Sequence, residues 1–250
     1  MSNKIKAAIL GYGRNGSTMH ADAIEKSVDF ELTAVCDTDE NARNRAHARF
    51  NCRVYENYHD MLGKEQLDIV IIVTRSSQHC EMTCDCLEAG SNVLVTKPWA
   101  LDQAEAEQMI SAAESSGKML LPWLPARWSC DFLRLRELIG SGAVGKVFQI
   151  RRSEYSFGIR LDWQTLKKYG GGYLLNWGPH LVDQPLELLG KQAKSVYAEM
   201  RCIINPGDAE DIFYAVTKTA DDVIIISEFN ICAGKMPNWI IQGDRGTIFV

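Results

Sequence analysis

Four polar residues, Asn176, His180, Asp183 and Glu187, recur at i, i+4, i+7 and i+11 in the stretch that begins Asn176-Trp177-Gly178-Pro179-His180. In a helix that spacing puts them on one face. A histidine ionises near neutral pH and can carry a proton either way, so the stripe is either a catalytic edge or the wet side of a surface helix. Gly170-Gly171-Gly172 lies just ahead and removes three successive Cβ atoms, which lets backbone approach a ligand or take positive φ. Pro179 suits a first helical turn and Gly190 the position just past the end, while Pro185 is expected to bend or split the helix. The other residue with chemical promise is Lys97, between the apolar run Asn92-Val93-Leu94-Val95 and Pro98. It reads either as a site residue or as a lysine snorkelling at a strand end, and its bond to Pro98 admits a cis peptide although trans is the expectation.

The elements that must position these groups are legible from the N-terminus. Lys6 to Leu10 is a short apolar strand that stops at Gly11-Tyr12-Gly13-Arg14-Asn15-Gly16, where a helical pattern opens. This is G-x-G-x-x-G between strand and helix, the context it needs to bind a dinucleotide. The first glycine permits the turn, the second lets backbone near a pyrophosphate, and the third lets helix pack on strand. A second strand, Glu31 to Cys36, ends in Asp37, where an acid accepts hydrogen bonds from a ribose 2′-OH and repels a 2′-phosphate. The reading is therefore an NAD site, with NADP as the alternative.

Alternation continues through helix 41–50, strand 52–55, helical turn 57–62, strand 67–73, helix 78–89, strand 92–95, helix 102–116 and strand 118–121. That rhythm means a doubly wound parallel sheet, whose ligands gather beyond the carboxyl ends of the strands. Three loops qualify: 11–16, 74–79 and 96–98. After Pro122 the rhythm breaks. A helix over 130–139 and a turn-rich link are followed by β-rich segments at 146–155, 195–202, 211–218, 223–230 and 239–241, with Asp221-Asp222 as one hairpin turn. These fit a second, α+β domain with an open, largely antiparallel sheet. The expected division is 1–122 and 123–250.

Composition narrows the function classes. The 250 residues carry a net charge of −5 with no basic cluster, so a nucleic-acid partner is unsupported. No apolar run approaches the roughly 20 residues that span a bilayer, and no signal peptide is read, so a cytoplasmic protein is expected. Eight cysteines do not form a disulfide framework by density. Cys80, Cys84 and Cys86 lack the C-x2-C spacing of zinc sites, so reduced, buried thiols are expected and no metal.

Taken together, the order and spacing of these segments resemble the glucose–fructose oxidoreductase, inositol dehydrogenase and rhizopine catabolism (Gfo/Idh/MocA) oxidoreductases over nearly the whole chain. The resemblance rests on Gly11 to Gly16, Val35-Cys36-Asp37, Leu67 to Thr74 with His79, Ala89 to Pro98, Ser141 to Gly145 and Gly170 to Asp183. It implies a nicotinamide-dependent dehydrogenase acting on a sugar, cyclitol or related polyol. Thr74, Arg75 and His79 would join the glycine loop and Asp37 around the cofactor. Lys97 matches the catalytic lysine of the family's Glu-Lys-Pro, with Thr96 in place of the Glu. Asn176 and His180 match its Asp-x-x-x-His. His180 would take the hydroxyl proton and Lys97 would stabilise the developing oxyanion. Arg127, Tyr155 and Asp183 are further candidates for substrate contact. Family members also associate through the C-terminal sheet, which implies a homodimer or homotetramer.

Three departures qualify the match. Asn176 replaces the acid, and an amide can orient an imidazole without stabilising its charge. Arg75-Ser76 replaces Pro-Asn, and its guanidinium could stack on adenine or meet a 2′-phosphate. The chain also ends inside an apolar strand, Gly246 to Val250, so either the natural C-terminus is expected to lie further on or another chain is expected to complete the sheet. The alternatives to a dehydrogenase are a nucleotide-binding regulator without turnover and a relative that uses tightly held NAD for glycoside cleavage.

Overall fold

A computed structural model describes residues 4–250, which divide into two compact units with the boundary between Trp123 and Leu124. The first unit holds six parallel strands: β1 (Ile5–Leu10), β2 (Phe30–Cys36), β3 (Arg53–Tyr55), β4 (Ile69–Ile72), β5 (Asn92–Thr96) and β6 (Leu120–Trp123). Their order is β3-β2-β1-β4-β5-β6, the doubly wound arrangement that the alternation predicts. The central strands read as nearly continuous apolar runs because both faces are covered. Ala7, Ala8, Ile9, Val70, Ile72, Val93 and Val95 have no exposed surface. Each fully buried Ile or Val contributes roughly 1.5–3 kcal/mol. Pro122 is tolerated in β6 because that strand is the sheet edge.

Between the strands run α1 (Ala21–Lys26), α2 (Glu40–Phe50), α3 (Tyr58–Lys64), α4 (His79–Glu88) and α5 (Gln103–Ser116). Their starts are set locally. Asp39, Asn57 and Asp102 each accept a backbone N–H of the first turn through the side chain. One π-helical turn, Gly16–His20, precedes α1 and was not legible in the sequence. Five of the eight cysteines are buried, all eight are free, and Cys130 and Cys202 are exposed. No group of His, Cys, Asp or Glu among the described residues could hold a metal. No described helix is long and apolar enough to cross a membrane.

The second unit opens with α6 (Cys130–Gly140) and contains α7 (Tyr173–Leu189) and a six-stranded sheet. Its strands are β7 (Val147–Tyr155), β8 (Ala193–Arg201), β9 (Ile212–Thr219), β10 (Ile224–Asn230), β11 (Trp239–Gly243) and β12 (Gly246–Phe249), in the order β12-β11-β7-β10-β9-β8. The expectation of an antiparallel sheet holds for every pair but one: β10 runs parallel to β7. The connection between them passes through α7 and the β8–β9 hairpin, a crossover long enough to bring the chain back in the same direction. α7 packs on β7, β9 and β10. Tyr173, Leu181, Phe213 and Phe229 form one cluster there, and Phe132, Leu135, Ile150, Leu188, Trp239 and Ile241 form another.

Two expectations about α7 need correction. The helix begins at Tyr173 rather than near Pro179, and it continues through Pro185 without interruption. Proline at 185 removes the N–H that would bond the Leu181 carbonyl. The Ser227 hydroxyl of β10 takes that carbonyl instead, donating to it at 2.8 Å in the core. The buried carbonyl is satisfied, and the helix survives.

Candidate active site

The loop after β1 is shaped around missing side chains. A Cβ on Gly16 would collide with the Gly11 carbonyl, so the third glycine is needed for helix to pack on strand. A Cβ on Gly13 would meet nothing within 4 Å, so its exposed backbone faces open space. No side chain caps the helical turn that follows. Such a cradle suits a pyrophosphate, with free N–H groups and a positive dipole end. Tyr12 is buried, and its backbone N–H donates to Asp37 Oδ2 at 2.6 Å. Asp37 Oδ1 accepts the Asp39 N–H at 2.9 Å. The carboxylate is thereby fixed at the end of β2, and each oxygen keeps lone pairs for ribose hydroxyls. Arg14 and Asn15 stand exposed beside the turn, with Arg14 Nε donating to Asn15 Oδ1 at 3.4 Å. The residues present therefore fit a dinucleotide.

The loops after β4 and β5 are joined by His79. The ring is 1% exposed, with Nδ1 2.7 Å from the Pro98 carbonyl and Nε2 3.2 Å from the Thr74 carbonyl. Burial holds its pKa below the ordinary value, against the opposing pull of the two carbonyls. Thr96 is also buried and donates through Oγ1 to the Ile72 carbonyl at 3.0 Å. The partly buried Lys97 therefore stands on a backbone tied to both β4 and α4. The Lys97–Pro98 peptide is cis where trans was expected, an outcome open to an X–Pro bond because its trans preference is weak. Arg75 is exposed and Thr74 partly buried.

In the second unit, Asn176 and His180 lie one turn apart on α7. Asn176 Nδ2 donates to Gln164 Oε1 at 2.8 Å, and His180 is buried beside Trp177, ring centroids 6.0 Å apart. The glycine turn serves packing. Gly172 has φ +105°, and a Cβ there would overlap the Glu210 carboxylate, which accepts the Leu174 N–H at 2.9 Å. A Cβ on Gly171 would lie 2.5 Å from the Gln164 carbonyl. Glu210 thus caps α7, and Gln164 packs under it. Neither residue carries a signal in the sequence, because both act through chain segments distant in order.

The three candidate substrate residues are engaged with protein groups. Arg127 makes a two-pronged bond to Asp183, Nε to Oδ2 at 2.8 Å and Nη2 to Oδ1 at 2.6 Å, and lies 3.5 Å from Glu187. Tyr155 is buried and donates to Glu228 at 2.9 Å. The polar stripe of α7 is therefore divided: Asp183 and Glu187 hold Arg127, while Asn176 and His180 lie nearer the N-terminal end.

With the geometry in place, comparison with known proteins assigns the chain. Residues 5–122 match the oxidoreductase family with an NAD-binding Rossmann fold, and residues 132–249 match the GFO/IDH/MocA C-terminal domain. The chain belongs to the Gfo/Idh/MocA oxidoreductase family. It is 26% identical over 243 residues to the scyllo-inositol 2-dehydrogenase (NADP(+)) IolW of Bacillus subtilis, covering 96% of this chain and 66% of that protein. It is 31% identical over 203 residues to D-glucoside 3-dehydrogenase of Escherichia coli, covering 79% and 58%. Among solved structures, GenD2 from gentamicin A biosynthesis, in complex with NAD, superimposes with a TM-score of 0.92 at 26% identity, covering all of this chain and 73% of that one. The matched part thus spans 66% and 58% of the length of these two curated dehydrogenases. It is a nicotinamide-dependent oxidoreductase, and its Rossmann unit is the NAD-binding domain.

Proposed function

We propose that this oxidoreductase oxidises a secondary hydroxyl of a sugar, cyclitol or related polyol, or reduces the corresponding ketone. The carrying observation is the placement of Lys97 at the carboxyl end of β5, on the same end of the sheet as the glycine turn after β1 and Asp37 after β2. Ligands of doubly wound sheets gather at that end. IolW acts by its name on an inositol, and the coli relative by its name on a D-glucoside. Both substrates present secondary hydroxyls on a ring.

Gly11, Gly13 and Gly16 would cradle the pyrophosphate, and Asp37 would hold the adenosine ribose, with Thr74 and Arg75 flanking. His79 ties together the Thr74 and Pro98 carbonyls at this end of the sheet. Bound nicotinamide supplies the acceptor for the hydrogen and electron pair that leave carbon. Lys97 is assigned the developing negative charge on the substrate oxygen, and His180 the proton that this oxygen releases. The partly buried open face of the second sheet, with Tyr214, Val216 and Ile224, is proposed for self-association.

A panel of inositols, hexoses and methyl glucosides, assayed for NADH or NADPH formation, tests the reading. Stoichiometric oxidation of one ring hydroxyl supports it, and silence across the panel with intact NAD binding rejects it. Asn176 motivates the second reading, a nucleotide-binding protein without net turnover. Glycoside cleavage with sub-stoichiometric NAD and no accumulating NADH would favour a third.

A further inference from the structure

We propose that Arg49, in the last turn of α2, is a positioning residue of the cofactor turn, holding the chain on either side of Gly13 in the shape that receives the pyrophosphate. This rests on the proposed role of the glycine turn as the pyrophosphate cradle, and it holds whichever hydroxyl is oxidised.

The turn needs an outside partner because the helix that follows it is irregular. In an α-helix the Ala21 N–H would bond to the Ser17 carbonyl, four residues back. In the π-helical turn Gly16–His20 it bonds instead to the Gly16 carbonyl, five residues back. The Ser17 carbonyl accepts Arg49 Nη1 at 3.0 Å, from across the gap to α2. The other end of the same residue is tied to the turn, since the Ser17 N–H donates to the Gly13 carbonyl at 2.9 Å. Arg49 therefore grips a residue one hydrogen bond away from the backbone that would meet the phosphates.

A second contact lies on the other side of Gly13. Tyr12 is 2% exposed and packs with Ala21, Ile24, Ala42 and Ala46. A phenol so buried needs a polar partner, and Arg49 hydrogen-bonds to it. The same guanidinium meets the Asp22 and Glu25 carboxylates of α1. Those ion pairs are a third to a half exposed and contribute little by themselves. A planar guanidinium can serve phenol, carbonyl and carboxylates at once, because its donors point in fixed, divergent directions. The ribose end of the site is fastened separately. Arg43 Nη1 donates to the Asp37 carbonyl at 2.8 Å, and the Asp39 N–H holds Asp37 Oδ1 at 2.9 Å. Loss of Arg49 should therefore be felt at the pyrophosphate more than at the ribose.

Equilibrium titration of the folded protein with NAD and with adenosine, which has no phosphate, tests this without turnover. In R49M the Kd for NAD should rise by at least about fivefold, and that for adenosine by less than about twofold. An unchanged Kd for NAD, or an equal loss for both ligands, overturns the proposal. D22N/E25Q removes the ion pairs but keeps the contacts to Ser17 and Tyr12, so its Kd for NAD should stay within about twofold of the wild type. A loss equal to that of R49M would assign the effect to the bracing of α1 on α2 and overturn the proposal as well. Should R49M fail to fold, Y12F removes only the phenol hydroxyl. Its Kd for NAD should rise by at least about twofold more than its Kd for adenosine, and equal values would overturn the proposal.

G13A separates this proposal from the reading beneath it. A Cβ on Gly13 meets no protein atom within 4 Å, so a loss of NAD affinity in G13A reports a ligand lying against the turn. Full affinity in G13A sinks the pyrophosphate reading and the role of Arg49 with it. Affinity lost in G13A but kept in R49M sinks the role of Arg49 alone.

Discussion

The His79 imidazole lies 2.7 Å from the Pro98 carbonyl and 3.2 Å from the Thr74 carbonyl, so one buried ring joins two loops at the same end of the Rossmann sheet. A neutral imidazole has a single N–H, and the shorter contact assigns it to Nδ1. Removing the ring leaves a buried carbonyl unpaired, at a cost of about 1–3 kcal/mol. His79→Ala should therefore lower the unfolding free energy by that amount. It should also lower kcat more than it raises the KM for NAD, since the loop it holds carries Lys97. Loss of stability with kcat untouched would confine His79 to a structural role.

Acid should destabilise the Rossmann unit through His20. This ring is buried against Trp123, centroids 4.7 Å apart, and burial pushes its pKa down from 6.5 to about 4. The native ring stays neutral where the unfolded ring already takes a proton. Its contribution is therefore present above about pH 6.5 and lost as pH falls toward 4. The full effect is about 3 kcal/mol at most. Urea unfolding of His20→Phe between pH 7 and 4 should show a shallower decline than the wild type. Parallel curves would mean that another group carries the acid sensitivity.

How much of this was legible in the sequence follows from the range of the interactions. The glycine turn, Asp37 and the strand–helix alternation were readable because each depends on neighbours within a few tens of residues. Lys97 and His180 were singled out through resemblance to the family's pattern, and their roles stand as proposals. The continuation of α7 through Pro185 was not, since the rescuing hydroxyl of Ser227 comes from 46 positions away. The same holds for Glu210 at the start of α7, for Gln164, and for the parallel β7–β10 pair. Gly170-Gly171-Gly172 suggested close approach of backbone to a ligand, and its neighbours are instead Glu210 and the 164–166 segment.

Ser227→Ala tests the first of these directly. The substitution leaves the Leu181 carbonyl buried without a donor, which costs about 1–3 kcal/mol. Chemical denaturation should show that loss, and the amides of the last two turns of α7 should exchange faster. A neutral substitution would mean that the helix does not need Ser227 to pass Pro185.

Cofactor preference should follow Asp37. Its two oxygens are held by the Tyr12 and Asp39 N–H groups, and a 2′-phosphate would meet that negative charge. The wild type should use NAD in preference to NADP, and Asp37→Ser should reduce that ratio by at least about tenfold, roughly 1.4 kcal/mol. The ratio of kcat/KM for the two cofactors measures it. An NADP preference in the wild type would shift recognition to Arg75.

The most direct test of the central claim is NADH formation by wild type and Lys97→Ala on the best polyol of the panel, with NAD affinity measured on both. The expected result is stoichiometric NADH from the wild type. The variant should lose at least about 10³-fold in kcat, roughly 4 kcal/mol of transition-state stabilisation, with a Kd for NAD within about threefold of the wild type. Wild-type turnover by Lys97→Ala would contradict the assignment.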